Sequence, residues 1–224
     1  MHDEKISNSK GMIVQQSQAE ESKKTDSMVL IEPEKSFILI ALGFFVLIIL
    51  STTLLRIPIV IPTHWVSVVF FLYVTPIFLY SLSTMVRSWI ALAIVFPSLA
   101  LGELLWCGLY GCAGELPLNV IITFSTWGIG CLLISLLRKK NELVAMLTGA
   151  LWGFIGLLVP ALIYYALILN WSPLYMVVYS LISTVFNLVF IPVSLLLNLL
   201  IRRMLKVQHL DELLSITVPI LADS

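Results

Sequence analysis

The chain has 224 residues, of which 59% are hydrophobic and only 12% charged, with a formal net charge of zero. A soluble domain carries about 25% charged residues, so this chain lacks the polar side chains to clothe a water-facing surface. The balanced charge also argues against nucleic acid as a partner. Continuous apolar runs of about 20 residues match a hydrocarbon core roughly 30 Å thick. Short alternating segments, which a β-barrel would need, are not the pattern here. The expectation is an all-α polytopic membrane protein.

Residues 1–35 are polar and form the predicted disordered cytoplasmic tail. Because that tail precedes the first apolar run, a cleaved signal peptide is not expected. Six transmembrane helices are then predicted within residues 36–203. Helix one runs from Phe37 to Leu55. It is followed by Arg56-Ile57-Pro58-Ile59-Val60-Ile61-Pro62-Thr63-His64-Trp65, an apolar loop whose two prolines oppose continuation of the helix. Helix two covers Val66 to Met85, with Pro76 inside it. Helix three covers Trp89 to Leu109, with Pro97 as a kink. Helix four runs from Pro117 to Leu137, helix five from Val144 to Leu169, and helix six from Leu174 to Ile201. Residues 204–224 form a second cytoplasmic tail, whose stretch from Val207 to Leu214 is amphipathic enough to rest on the inner surface.

Lysine and arginine number 13, and in this topology all but Arg56 fall on one side of the membrane. The positive-inside rule then places both termini in the cytoplasm and leaves Arg56 alone on the outer face. Acids are equally segregated. Apart from Glu103 and Glu115, they lie in the tails or in the inner loop.

A carboxylate inside a bilayer is costly, so Glu103 carries information. Glu103, Trp106 and Tyr110 share one helical face, offering a carboxylate, an indole N–H and a phenol. Such a wall can fix a cation or accept N–H bonds while its rings pack a flat ligand. Interface-belt aromatics and a structural ion pair between Glu103 and Arg56 give the same pattern. Further polar groups gather in the outer half: Asn119, Thr123 and Trp127 on helix four; Tyr164, Tyr165, Asn170 and Trp171 near the end of helix five; Ser180, Thr184 and Asn187 on helix six. The candidate substrate-binding set is Glu103, Trp106, Tyr110, Arg56, Asn119, Trp127, Tyr164, Trp171 and Asn187. The inner halves of helices one to five are mostly aliphatic, which suits an outward-facing cup better than a continuous ion path.

Gly149, Gly153 and Gly156 form a small-residue stripe on helix five, fit either for internal packing or for docking another membrane subunit. Cys107 and Cys112 flank an outer helix end and either pack as small apolar groups or pair. Cys131 lies within a span. Three cysteines and scattered histidines give no metal signature, and no cofactor is expected. The chain contains no P-loop, HExxH or GxSxG motif.

Six helices with both termini inside, an apolar outer loop after helix one and an outer cup resemble the substrate-binding S components of energy-coupling-factor vitamin transporters. Leu101-Gly102-Glu103-Leu104-Leu105-Trp106 looks like their third helix, and Phe190-Ile191-Pro192-Val193 down to Arg202-Arg203 like their sixth. The resemblance implies capture of a vitamin-like small molecule from outside, without catalysis by this chain. It implies as partners a membrane-embedded coupling subunit and two ATPase subunits. Such proteins often dock through an AxxxA face on helix one. Here that helix has Ala41 and Gly43 without that spacing, leaving the helix-five glycines as the alternative docking face. Two other readings stay open: a non-catalytic scaffold resembling the rod-shape determining proteins of envelope synthesis, and a lipid-modifying membrane enzyme.

Overall fold

A computed structural model describes residues 33–62, 67–111, 116–164 and 172–215. Residues 1–32 of the proposed N-terminal tail, His64, Cys112, Glu115, Tyr165, Asn170 and Trp171 lie outside the described residues, and the last three residues of that tail, Pro33–Lys35, are already helical. The elements are α1 (Pro33–Leu54), β1 (Arg56–Pro62), β2 (Ser67–Tyr73), α2 (Thr75–Met85), α3 (Ser88–Tyr110), α4 (Leu116–Thr123), a π-helical turn (Phe124–Gly128), α5 (Ile129–Leu137), α6 (Glu142–Ala161), α7 (Pro173–Leu205) and the short α8 (Glu212–Ser215). Among the described residues, five helical stretches are long and apolar enough to cross a membrane: Lys35–Leu54, Ser88–Tyr110, Leu116–Leu137, Glu142–Tyr164 and Pro173–Leu205. The chain is a mostly helical, multi-pass membrane protein.

The expected second membrane helix is not a full helix. Its first half is β2, paired antiparallel to β1, and only the 11 residues of α2 are helical. A helix of 11 residues is about 16 Å long, half of what a span needs. Two features of the sequence cause this. The run Ser67-Val68-Val69-Phe70-Phe71-Leu72-Tyr73 is dominated by β-branched and aromatic residues, which favour strands. Pro76 lacks an N–H and belongs in a first helical turn, which is where α2 places it. Its partner strand carries Pro58 and Pro62 four residues apart, so both fall on the same edge, and among the described residues the sheet has these two strands alone, where proline is tolerated.

Small and hydroxylated residues bring the helices together. Thr53 Oγ1 donates to the Gly102 carbonyl at 3.2 Å, and a Cβ at Gly102 would stand 2.7 Å from that of Thr52. Between α2 and α7 the bonds are reciprocal. Ser81 Oγ donates to Ser194 O at 3.1 Å, while Ser194 Oγ donates to Ile77 O at 3.2 Å. Such contacts replace the hydrophobic drive that lipid cannot supply between helices. The aliphatic core beneath them includes Ile48, Leu79, Leu82, Met85, Leu99, Ile134 and Met146.

The glycine stripe on α6 faces this chain's own helices. A Cβ on Gly149 would meet Ile134 at 2.5 Å, one on Gly153 the Asn187 amide at 3.0 Å, and one on Gly156 the Ser125 carbonyl at 2.5 Å. Of the two uses open to that stripe, internal packing is the one observed. These glycines offer no free face to a docking subunit.

At the opposite end from the hairpin, α7 stops at Lys206, whose φ of 56° turns the chain back. Residues 207–213 then fold under the bundle. Leu210 and Leu213 are buried in the core, and Leu210 N–H donates to Met85 O at 2.8 Å. The amphipathic stretch expected to lie on a membrane surface therefore spends its apolar side within the protein. Asp211 anchors it, with two contacts from Arg138 and one from Arg87, each at 3.0 Å. Arg202 also pairs with Glu142 and donates through Nε to Gln208 O.

Candidate functional site

The β1–β2 register places Arg56 directly opposite Tyr73. That cross-strand position starts the site, because opposed side chains in a hairpin lie within contact reach. The Arg56 guanidinium lies 5.0 Å from the centre of the Tyr73 ring and 4.3 Å from that of Trp106. Its Nε donates to Thr52 O, and Nη1 donates to the Tyr73 hydroxyl at 3.4 Å. Nη2 reaches Glu103 Oε1 at 2.7 Å, with both side chains almost fully buried at 5% and 3% exposure. That contact is electrostatic, since its angle is not that of a hydrogen bond.

Glu103 is held from the other side by Thr123, whose hydroxyl donates to Oε1 at 3.0 Å. Glu103 thus pairs with Arg56 through Oε1 and keeps Oε2 without a hydrogen-bond partner. Trp106 serves the same cluster, covering Arg56 on one side and lying tilted against Tyr110, their ring centres 3.9 Å apart. Tyr110 itself is exposed at the rim. Phe71 of β2 meets Trp106 edge-on at 6.2 Å, so the hairpin packs on the face that Glu103, Trp106 and Tyr110 share.

Four residues after Thr123 stands Trp127, in the π-helical turn. Its ring meets Tyr73 edge-on at 4.9 Å. A π turn admits an extra residue and disturbs the regular carbonyl pattern. Here the Ser125 carbonyl accepts from Trp152 Nε1 of α6 at 2.8 Å, and Gly156 allows the close approach. The turn thereby presents Thr126 and Trp127 to the interior. Both are buried, and neither Thr126 Oγ1 nor Trp127 Nε1 has a hydrogen-bond partner. Across Gly153 lies Asn187 of α7, whose Nδ2 is likewise unpartnered. Ser180, two turns from Asn187 on α7, adds another buried hydroxyl without a partner, while Thr184 between them donates back to Ser180 O at 2.8 Å. Buried polar groups are normally satisfied, so this concentration is unusual.

The remaining expected residues fall at the margins. Asn119 donates to Cys107 Sγ at 3.6 Å, and Cys107 is disulfide-bonded, whereas Cys131 is free and buried. Tyr164 is half-buried just beyond α6. Trp171 lies outside the described residues. Two contributors were missed in the sequence. Tyr73 was hidden within a segment assigned to a helix, and only the hairpin register brings it to Arg56. Thr126 was obscured because a 3.6-residue period does not place it with Trp127 and Asn187. Among the described residues no group of three or more His, Cys, Asp or Glu side chains could hold a metal ion.

No protein-family model matches this chain, and neither a curated protein nor a solved structure does.

Proposed function

We propose that this protein is the substrate-specific membrane subunit of an uptake system, capturing a vitamin-like small molecule on the outer side. A membrane-embedded coupling subunit and ATPase subunits would drive its release inward, and the chain itself would perform no catalysis. The observation that carries this reading is the set of buried polar atoms without hydrogen-bond partners in the hairpin half, Arg56 Nη2, Glu103 Oε2, Thr126 Oγ1, Trp127 Nε1, Ser180 Oγ and Asn187 Nδ2, against Ser83 Oγ, Asn198 Oδ1 and His209 Nδ1 toward the other end. Six such groups gather in this half, each costing about 1–3 kcal/mol when left unpaired. A ligand supplies their partners.

The hairpin supports the same orientation. An open strand edge does not face lipid within the hydrocarbon region. β1 and β2 form a sheet of two strands, so their free edges belong at the water-accessible mouth. The opposite end holds Arg87, Arg138, Lys139, Lys140, Arg202 and Arg203 and faces the cytoplasm by the positive-inside rule.

A scaffold in an envelope-synthesis complex is the second reading. The closure of Arg56 and Glu103 upon each other favours it, because that pair then needs no ligand. Purification in mild detergent followed by mass spectrometry of released small molecules separates the two. A capture subunit retains a compound whose re-addition raises the melting temperature, since binding to the folded state alone stabilises it by mass action. Repeated absence of both a retained compound and any such rise refutes the capture reading.

A further inference from the structure

We propose that Arg87 and Arg138 form an anion seat at the basic end of the molecule, that Asp211 fills it as a built-in ligand, and that a phosphate monoester competes for it and undocks residues 207–215 when it binds. The site is independent of the capture reading, since it uses no residue of the hairpin half. Geometry is the first argument. Arg138 ends α5 and Arg87 precedes α3, so both stand where helices of the membrane bundle terminate. Arg138 donates through Nη1 to Asp211 Oδ1 and through Nη2 to Oδ2, and Arg87 donates through Nε to Oδ2, each at 3.0 Å. Two planar guanidinium groups closed on one small oxyanion suit a phosphate as well as a carboxylate. A phosphate monoester carries about −1.5 to −2 charge and three acceptor oxygens, so it can accept all three of these bonds with more charge behind them.

The need for an anion is the second argument. The Arg138 side chain is only 4% exposed, and a charge so buried is costly without a counter-charge against it. Two nearby acids are engaged elsewhere. Glu142 pairs with Arg202, and Glu212 accepts from the backbone N–H groups of Gln208 and His209. Asp211 supplies the counter-charge, and it does so from a strap that begins where Lys206 turns the chain back. The strap is held by Leu210 and Leu213, buried with Phe37, Met85 and Val86, by the bond from Leu210 N–H to Met85 O, and by Arg202 on Gln208 O. A phosphate in the seat would confront the Asp211 carboxylate as a like charge at close range, so anion and strap exclude each other. Lys139, Lys140, Arg203 and Lys206 are exposed at the same end and draw anions toward it. Release would uncover the ends of α1 and α2 against which the strap now packs.

The test reads amide hydrogen exchange over residues 207–213 in the full chain, at constant pH and ionic strength. In one arm the chain is held in dodecyl maltoside and titrated with glycerol 3-phosphate against chloride. In the other it is held in nanodiscs of phosphatidylcholine, alone or with phosphatidic acid. Binding is followed by thermal shift in the first arm and by retained lipid in native mass spectrometry in the second. Exchange should quicken about tenfold or more in at least one arm. Acceleration by glycerol 3-phosphate identifies a soluble ester, and acceleration in phosphatidic acid discs alone identifies a lipid headgroup. In Asp211→Asn exchange should be fast from the start, and affinity for the same phosphate should rise about tenfold, because the seat is no longer closed by its own carboxylate. The double variant Asp211→Asn with Arg138→Gln should lose that gain. If it fails to fold, as judged by melting temperature, Arg87→Gln replaces Arg138→Gln, since Arg87 is 36% exposed. Exchange in the parent that neither probe alters overturns the proposal. So does an Asp211→Asn chain whose strap is loose but whose phosphate affinity is unchanged, the behaviour of a simple clamp. A double variant that binds as tightly as Asp211→Asn also overturns it, because the phosphate then rests on the exposed lysines and not in the seat.

Discussion

Replacing Glu103 by Leu tests the Arg56–Glu103 pair directly. The substitution leaves the Arg56 guanidinium, 5% exposed, without its counter-ion, and leaves the Thr123 hydroxyl without an acceptor. Removing one member of a buried pair costs about 3–5 kcal/mol. Tyr73 and Trp106 stay over Arg56 in parent and variant alike and keep the stranded charge from being wholly uncompensated, so a loss at the low end, about 3 kcal/mol, is expected. Arg56→Met should destabilise by a similar amount, because it strands a carboxylate held by Thr123 alone. The double variant removes both charges and fills the space with apolar atoms, and should lie within about 1 kcal/mol of the parent. The three variants and the parent form a double-mutant cycle with a predicted coupling of about 3 kcal/mol or more. Unfolding in detergent, followed by melting temperature or by SDS titration, reads the cycle. For a chain of this size the single variants should melt about 6 to 12 °C lower. Additive losses, with the double variant worse than either single one, would refute the assignment of the pair as a mutually satisfied buried unit.

Three further outcomes follow from particular contacts. Gly156→Ala should destabilise by about 1–3 kcal/mol, since its Cβ would sit 2.5 Å from the Ser125 carbonyl, whereas Gly43→Ala has open space and should gain about 0.5–1 kcal/mol from helix propensity. Equal effects on melting temperature would mean that α6 does not pack against the π turn. At the basic end, burial and neighbouring Arg138 hold His209 below its ordinary 6.5, although Asp211 and Glu212 oppose the shift. The unfolded segment therefore binds the proton more readily, so the stability of the docked segment is full above pH 6.5 and declines below it. For Asp211, burial raises the carboxyl, but the contacts from Arg138 and Arg87 outweigh it and hold it below 3.8, so its contribution is lost only in stronger acid. Hydrogen exchange at the Leu210 amide, which donates to Met85 O, should accelerate relative to the intrinsic rate between pH 7.5 and 5.5 and also in Asp211→Asn at neutral pH; unchanged protection in both would contradict this account. After unfolding, maleimide should label Cys131 without reductant but Cys107 only once reduced, because Cys131 is free and Cys107 is disulfide-bonded, while both are buried in the folded chain. Labelling of Cys107 without reductant would disprove the bond.

Placement in a membrane was legible from composition alone, because 12% charged residues cannot solvate a globular surface. Apolar runs also located α3 and α7 closely and the start of α6, and the rarity of charge in the apolar part pointed to Arg56 and Glu103 before any contact was known. Hydropathy could not reveal the hairpin. An apolar strand and half of an apolar span look alike in a hydropathy window, and the β-branched run from Ser67 to Tyr73 was outweighed by its apolar continuity with α2. Nor could it resolve the glycines of α6, since a close-packing face reads the same whether its partner is α7 or another subunit. The union of Tyr73 with Arg56 depends on strand register, and that of Thr126 with Asn187 depends on a π turn braced by Trp152. Residue type and spacing along one helix determine which groups are costly to bury. Only packing between elements far apart in the chain decides which of those groups satisfy each other and which are left to seek a partner.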